Sequence, residues 1–355
     1  MPDYPQFSAT SVINMPIMKI SQRKAEHIRI SLKESIQFRQ KHTGFEEYDF
    51  IHCALPELNW EDIDTQIQVF NKRLSMPLMI SAMTGGYDGA LEINRKLAET
   101  CQATGIGLGV GSQRQIMESR DFIRSYTVVR QAAPDILIFG NIGISQLLNM
   151  DRFEPVTEMA ALIGADAMAV HLNPLQEILQ PDGDIQFRGA ADCLKALADE
   201  MDIPVIVKET GCGISEAVAH KLFEAGIRWI DVAGAGGTSW SAVEAHRCRD
   251  KQTAAVFSEW GIPTANSIEM VSRVPGISII ASGGIRDGLT IAKALALGAE
   301  LCGAAWPFLK VLFENGEEGV TRLVQQWKKE LEIVLLLTGC RDIRELRQKG
   351  ILRKV

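Results

Sequence analysis

Short apolar runs recur along this chain, and each ends in small or polar residues. They are Pro77–Ser81, Gly105–Val110, Ile136–Asn141, Ala167–Asn173, Val205–Glu209, Trp229–Gly234, Ser278–Gly284 and Leu301–Trp306. Between them lie stretches with helical spacing of apolar positions and good helix formers, such as Ala90–Ala103 and Thr290–Leu297. Alternating strands and helices predict a parallel sheet covered on both faces. Eight such units close an α/β (β/α)8 barrel, the TIM-barrel architecture. An open doubly wound sheet is the alternative. The count of eight, and the polar residues at almost every run end, favour the barrel.

Two regions depart from the repeat. Residues 1–75 precede the first run and read as an N-terminal extension contributing to the barrel mouth, with Ser21–Arg39 helical. Residues 76–355 read as the barrel, one domain overall. The connection between the sixth and seventh runs is long. It carries Gly236–Gly237–Thr238–Ser239–Trp240 and the charged stretch His246–Lys251, and is read as an active-site insertion. Ile333–Leu337 reads as a buried helix segment.

Composition narrows the functional classes. Of 355 residues, 46% are hydrophobic and 23% charged, which fits a globular enzyme with a large core. A formal net charge of −7 gives no basic footprint for nucleic acid. An anionic ligand would then need positive charge concentrated in its site. The seven cysteines form no C-x-x-C pair, which argues against a disulfide framework or zinc cluster and for a reducing, cytoplasmic setting. Met1–Thr10 lacks the basic and apolar regions of a signal peptide. No apolar run approaches the roughly 20 residues of a membrane helix.

In a barrel the C-terminal strand ends form the active face. The seventh and eighth ends, Ser282–Gly283–Gly284–Ile285–Arg286 and Gly303–Ala304–Ala305–Trp306, place small residues before helices, where backbone N–H groups favour a phosphate. Thr238 can add a hydrogen bond; a plain tight turn is the bland alternative. Lys208 ends an otherwise apolar strand. It either pairs with Glu209 or another acid, or meets an anionic group such as the ring nitrogen of a reduced flavin. Thr84, Ser112 and Asn141 offer neutral hydrogen bonds, or simply satisfy their loops. His171, Asn173, Gln176 and Glu177 cluster at the fourth end, where one carboxylate suits Mg²⁺ shared with substrate phosphates. Alternatively His171 is structural and Glu177 caps a helix. Arg23–Lys24–Ala25–Glu26–His27 reads by itself as a solvated helix face. Arg114 and Arg286 are by themselves ordinary surface candidates.

Five segments together resemble the type 2, FMN-dependent isopentenyl-diphosphate delta-isomerases. They are Arg23–His27, Ala82–Met83–Thr84–Gly85–Gly86, Gly109–Val110–Gly111–Ser112–Gln113–Arg114, His171–Leu172–Asn173–Pro174–Leu175–Gln176–Glu177 and Asp231–Thr238. The first, third and fourth are the specific ones; the others are shared in kind with other FMN barrels. The resemblance spans about Arg23 to Trp306. It implies that Ala82, Met83, Thr84, Ser112, Asn141 and Lys208 line the flavin ring. Thr238, Gly284, Ile285, Arg286, Ala304 and Ala305 would hold the FMN phosphate. Arg23, Lys24, Ser112, Gln113 and Arg114 would grip an isoprenoid diphosphate, with His171, Asn173 and Gln176 beside it. Glu177 would bind Mg²⁺. Gln176, Lys208 and His171 would be catalytic. NADPH would reduce the flavin, and the protein would be a cytoplasmic homo-oligomer, a tetramer or octamer. Bulky Trp306 departs from the family pattern and bears on the shape of the phosphate pocket.

The expected reaction moves one double bond, adding a proton at one carbon and removing one at another. The cofactor would carry the hard step while the protein orients the substrate. Two other readings remain open. One is an FMN-dependent oxidoreductase, such as a 2-hydroxy-acid oxidase, with His171 as base and Arg286 for the carboxylate. The other is a non-catalytic sensor of a phosphorylated ligand.

Overall fold

The computed structural model describes residues 20–355 except Asp182 and Arg249. The reading of Met1–Thr10 therefore lies outside the described residues, and that of His246–Lys251 partly so. Eight parallel strands close a barrel: β1 Leu78–Ile80, β2 Gly107–Gly109, β3 Ile138–Gly143, β4 Ala167–Leu172, β5 Val205–Glu209, β6 Trp229–Asp231, β7 Ser278–Ser282 and β8 Leu301–Ala304. Each forms at the place its apolar run indicated, and β8 pairs with β1 to complete the ring.

Side chains alternate across each strand. Leu78, Ile80, Ile138, Met168, Val170, Val205, Val207 and Ile230 face the surrounding helices. Met79, Phe139, Ala167, Ala169, Ile206, Ile280 and Leu301 fill the barrel interior. Carried two residues onward, the inward series reaches Ser81, Asn141, His171, Lys208, Ser282 and Gly303, with Asp231 on β6 in the same series. The period of two thus gathers the polar strand ends on one interior floor.

The extension divides between the two ends of the barrel. A hairpin, Ile67–Val69 with Lys72–Leu74, plugs the bottom. Its Val69 and Leu74 join the interior cluster, and its Phe70 ring lies 4.9 Å from Trp229 and 6.2 Å from Phe139 between centroids. The earlier part borders the mouth through Arg23, Lys24, His27 and Ser31, while the hairpin lies at the opposite end. Helix α1, Ile20–Lys33, is shorter than expected. Beyond it the backbone turns its hydrogen bonds to the long insertion: Phe38 N–H donates to Gly237 O at 3.0 Å and Ser239 N–H to Ile36 O at 2.7 Å. A short strand, Tyr48–Phe50, pairs with Leu352–Lys354 near the C-terminus.

Four further helices position the site. They are α2 Pro174–Leu179, α3 Trp240–Ala245, α4 Gly288–Ala296 and α5 Trp306–Thr338. Helix α5 is broken at Gly316, where φ is +66°. Within it, Val334 and Leu335 are buried, but Ile333 and Leu337 face outward at 39% and 44% exposure. The expected buried segment is therefore a two-sided one.

Candidate active site

One cavity of about 270 Å³ opens at the C-terminal strand ends, above the polar floor. His171 Nδ1 lies 2.9 Å from Asn141 Oδ1. Burial and the nearby charges of Lys208 and Lys24 hold its imidazole down near pKa 3, so it stays neutral. A catalytic His171 is therefore a neutral hydrogen-bonding group and not an acid poised near pH 7. Lys208 Nζ donates to the backbone O of Glu209 at 2.5 Å, and its carboxylate neighbour is Asp231, 3.6 Å away. The Glu209 carboxylate turns outward and accepts the N–H groups of Thr210, Gly211 and Cys212. Burial pushes that carboxyl up to about 7 despite these bonds.

The β6–β8 side of the cavity is mostly backbone. Gly283 and Gly284 have φ of +99° and +76°, a region open mainly to glycine. A Cβ on Gly237 would stand 2.4 Å from the N of Gly284. The insertion and the β7 turn therefore touch with no room for a side chain. Arg286 reaches over this turn, donating to Gln37 Oε1 and lying 5.2 Å from the Trp306 ring centre. Trp306 Nε1–H donates to Ser31 O at 2.8 Å, so its bulk braces α1 at the cavity wall. Helix α4 is not the anion site expected at the seventh end. Its own Asp287 accepts the Thr290 N–H, and Glu330 accepts the Gly288 N–H. The start of α5, at Ala305, has no side-chain cap.

The β2–β4 side is charged. Lys24 Nζ donates to Ser112 O at 2.5 Å and to Tyr126 OH at 2.7 Å. Burial first, and the charge of Arg23 next, pull its pKa down to about 7. Arg114 is loosely paired with Glu118 at 3.6 Å. Among the described residues, Arg23, Lys24 and Arg286 have no carboxylate within 4.0 Å, although all three line the cavity. Cations so placed await an anion.

Glu177 is buried at the cavity edge. Its Oε1 accepts from Asn173 Nδ2 at 2.9 Å, and its Oε2 from Gln180 and from Asp184 N–H. Asn173 Oδ1 beside it is a buried acceptor with no partner. No three His, Cys, Asp or Glu side chains among the described residues converge as a metal cage. That donor set, one carboxylate and one free amide oxygen, fits a hard cation completed by substrate oxygens and water.

Two residues sit differently from the reading of the sequence. Gln113 is fully buried; its Nε2 donates to Met159 O and its Oε1 accepts the Asn141 N–H. It therefore braces the β3 end from behind and does not line the cavity. Thr84 bonds Asn94 with its hydroxyl, turning that side chain away as well. The other residues named for flavin, phosphate, diphosphate or metal all border the one cavity.

The sequence reading also missed a cluster. Glu244, on α3, is fully buried and accepts from Gln176 Nε2 at 3.1 Å and from Arg247 Nη1 at 2.7 Å, with His27 Nε2 at 3.0 Å. Burial opposes its charge, but the bonds and charges of His27 and Arg247 outweigh that and hold its pKa below the usual carboxylate range. Only its pieces are visible in the sequence: His27 closes the Arg23–His27 segment, and Glu244 and Arg247 are three residues apart in the insertion, but nothing there brings them together.

Fold and site together define a barrel of the FMN-dependent class. The family model for FMN-dependent dehydrogenase matches residues 151–353. Solved structures share the fold: a flavocytochrome b2 has a TM-score of 0.68 at 17% identity, covering 92% of this chain and 82% of its own. A lactate oxidase of Pediococcus acidilactici has a TM-score of 0.66 at 18% identity, covering 93% and 86%. Much nearer are proteins named isopentenyl-diphosphate delta-isomerase. That of Nostoc sp. is 43% identical over 94% of this chain and 96% of its own length. That of Methanothermobacter thermautotrophicus is 42% identical over 94% and 93%. The chain belongs to the isopentenyl-diphosphate delta-isomerase family, and it is an isomerase.

Proposed function

We propose that this protein interconverts isopentenyl and dimethylallyl diphosphate, with FMN as resident cofactor and no net redox change. The observation that carries the proposal is one cavity bordered by two separate places suited to an anion, one built mostly of backbone and one of cationic side chains. The first, Arg286 with the Gly283–Gly284 turn and the uncapped start of α5, suits the phosphate of FMN. Thr238, Gly284, Ile285, Ala304 and Ala305 border the same place. The second, Arg23, Lys24 and Arg114, suits a diphosphate, and lies beside Ser112 and Glu177.

When bound and reduced, FMN supplies an electron-rich ring for an allylic proton shift. Ala82, Met83, Ser112 and Asn141 would border the ring, with Lys208 presenting its ammonium to the ring edge. Glu177 would hold Mg²⁺ against the substrate diphosphate, with Asn173 adjacent. Gln176, fixed by Glu244, would face the reacting carbons. Anchoring the diphosphate spends remote binding energy on orienting the alkene. NADPH would serve to reduce the cofactor. We place the reaction in the cytoplasm and in a homo-oligomer, a tetramer or octamer. Among the described residues no helix is long and apolar enough to cross a membrane.

A hydroxy-acid oxidoreductase would need an effective histidine base. A His171 held near pKa 3 does not supply one at neutral pH. Anaerobic incubation of the FMN-loaded protein with NADPH, Mg²⁺ and isopentenyl diphosphate decides the matter. We expect dimethylallyl diphosphate in large excess over NADPH consumed. Absence of product sinks the proposal; consumption of NADPH or oxygen in step with substrate favours the oxidoreductase.

A further inference from the structure

We propose that Asp231 is a positioning residue that sets the charge Lys208 presents to the cofactor, and thereby the cofactor's reduction potential. The inference rests on the reading of the cavity as an FMN site. Lys208 on β5 and Asp231 on β6 are direct register partners, both pointing inward. Glu209, the neighbouring acid, is committed to three backbone N–H groups on the outer side. Asp231 is therefore the one carboxylate in reach of the ammonium among the described residues.

The two oxygens of Asp231 have separate work. Oδ1 accepts the Ser282 hydroxyl at 2.5 Å and the Ala233 N–H at 3.2 Å. These bonds fix the carboxylate to β7 and to the turn after β6. Oδ2 is left facing Lys208 Nζ at 3.6 Å. That is an ion-pair distance, too long for a hydrogen bond. Asp231 thus holds the ammonium by charge without using one of its hydrogens. One hydrogen goes to Glu209 O, and the others remain for whatever occupies the cavity above.

Asp231 does not border the main cavity, whereas Lys208 and Ser282 do. It lies one layer below, against the small pocket between Ser81, Asn141 and Lys208. It does not border the cavity that would hold the cofactor, so its influence there would be electrostatic. A carboxylate there offsets part of the Lys208 charge and disfavours the extra negative charge of a reduced ring.

Asp231→Asn tests this. The amide keeps an oxygen for Ser282 and Ala233 and loses the charge. We expect FMN to stay bound and the ratio of reduced-to-oxidised affinity to rise about tenfold, read as a midpoint potential about 30 mV more positive. Ser282→Ala is the second variant. It strips a hydrogen bond that disperses the carboxylate charge, so the ratio should fall about threefold, moving the potential the other way. A potential unmoved by D231N, with FMN bound, overturns the inference. Should D231N not fold, an S282A potential that stays put or moves positive overturns it, and a negative shift supports it. Failure of the unsubstituted protein to take up FMN is a different result: it overturns the cofactor reading itself.

Discussion

The two sides of the cavity are made of different material. On the β6–β8 side, the shape is set by backbone: Gly237 against Gly284, and left-handed turns at Gly283 and Gly284. On the β2–β4 side, it is set by long charged side chains, Arg23, Lys24, Arg114 and Glu177, drawn from α1, from the helix after β2 and from α2. Backbone dipoles are pre-placed and cost no side-chain ordering on binding. Long ionic side chains can re-aim as a ligand comes and goes. The difference suits a resident group on the first side and a substrate that turns over on the second. The chain after α1, the helix that carries Arg23 and Lys24, is fastened to the backbone side, because Gln37 donates to Thr238 and accepts from Arg286.

The strongest way to break this comparison is Gly237→Ala. Its Cβ would stand 2.4 Å from the Gly284 backbone N, which no rotamer change relieves. The β7 turn must move, at a cost of about 1–3 kcal/mol in stability. We expect FMN affinity to fall by about a hundredfold or more, measured by retained flavin absorbance on dilution. An alanine variant that keeps its flavin would show that the close backbone contact does not shape the phosphate pocket.

All eight strands were legible because their apolar runs are continuous and each is followed by a helix-forming stretch. The floor was legible for the same reason: Asn141, His171 and Lys208 continue the inward series of their strands. What was not legible depends on contacts distant in sequence. Nothing local says that Glu244 meets His27, 217 residues away, or that Asp231 rather than Glu209 faces Lys208. The place of the Gln113 side chain was not legible because a polar residue inside a polar motif is as readily a brace behind a strand as a group in front of it. The hairpin at the bottom of the barrel was not legible because its strands are only three residues each, and Val69 and Leu74 find their apolar partners only in the barrel interior.

Glu177→Gln sharpens the charged side. The glutamine can keep the hydrogen bond from Asn173 while losing the charge that a divalent cation needs. We expect turnover to fall on the order of tenfold to a hundredfold, with the Mg²⁺ concentration dependence shifted upward. FMN affinity should hold, since no part of the glycine side is touched. Comparable losses of flavin and of turnover would mean that the two sides are not separable.

The smallest effect concerns protons. Burial and Arg23 lower the Lys24 pKa to about 7 in the free protein, against an ordinary value of 10.5. Between those limits the unfolded chain binds more protons than the folded one. The contribution of this group to stability therefore rises with pH across that window, and its full penalty applies below about pH 7. A diphosphate beside Lys24 reverses the balance by favouring the ammonium. Binding above pH 7 should then take up a proton, and affinity should weaken as pH rises, by less than tenfold per pH unit. Titration calorimetry of inorganic diphosphate at pH 8, in two buffers of different ionisation enthalpy, counts that proton. Lys24→Arg keeps the charge at every pH and should abolish the uptake while leaving FMN in place. Equal uptake in both proteins would move the proton to another group and leave Lys24 a permanently charged part of the anion grip.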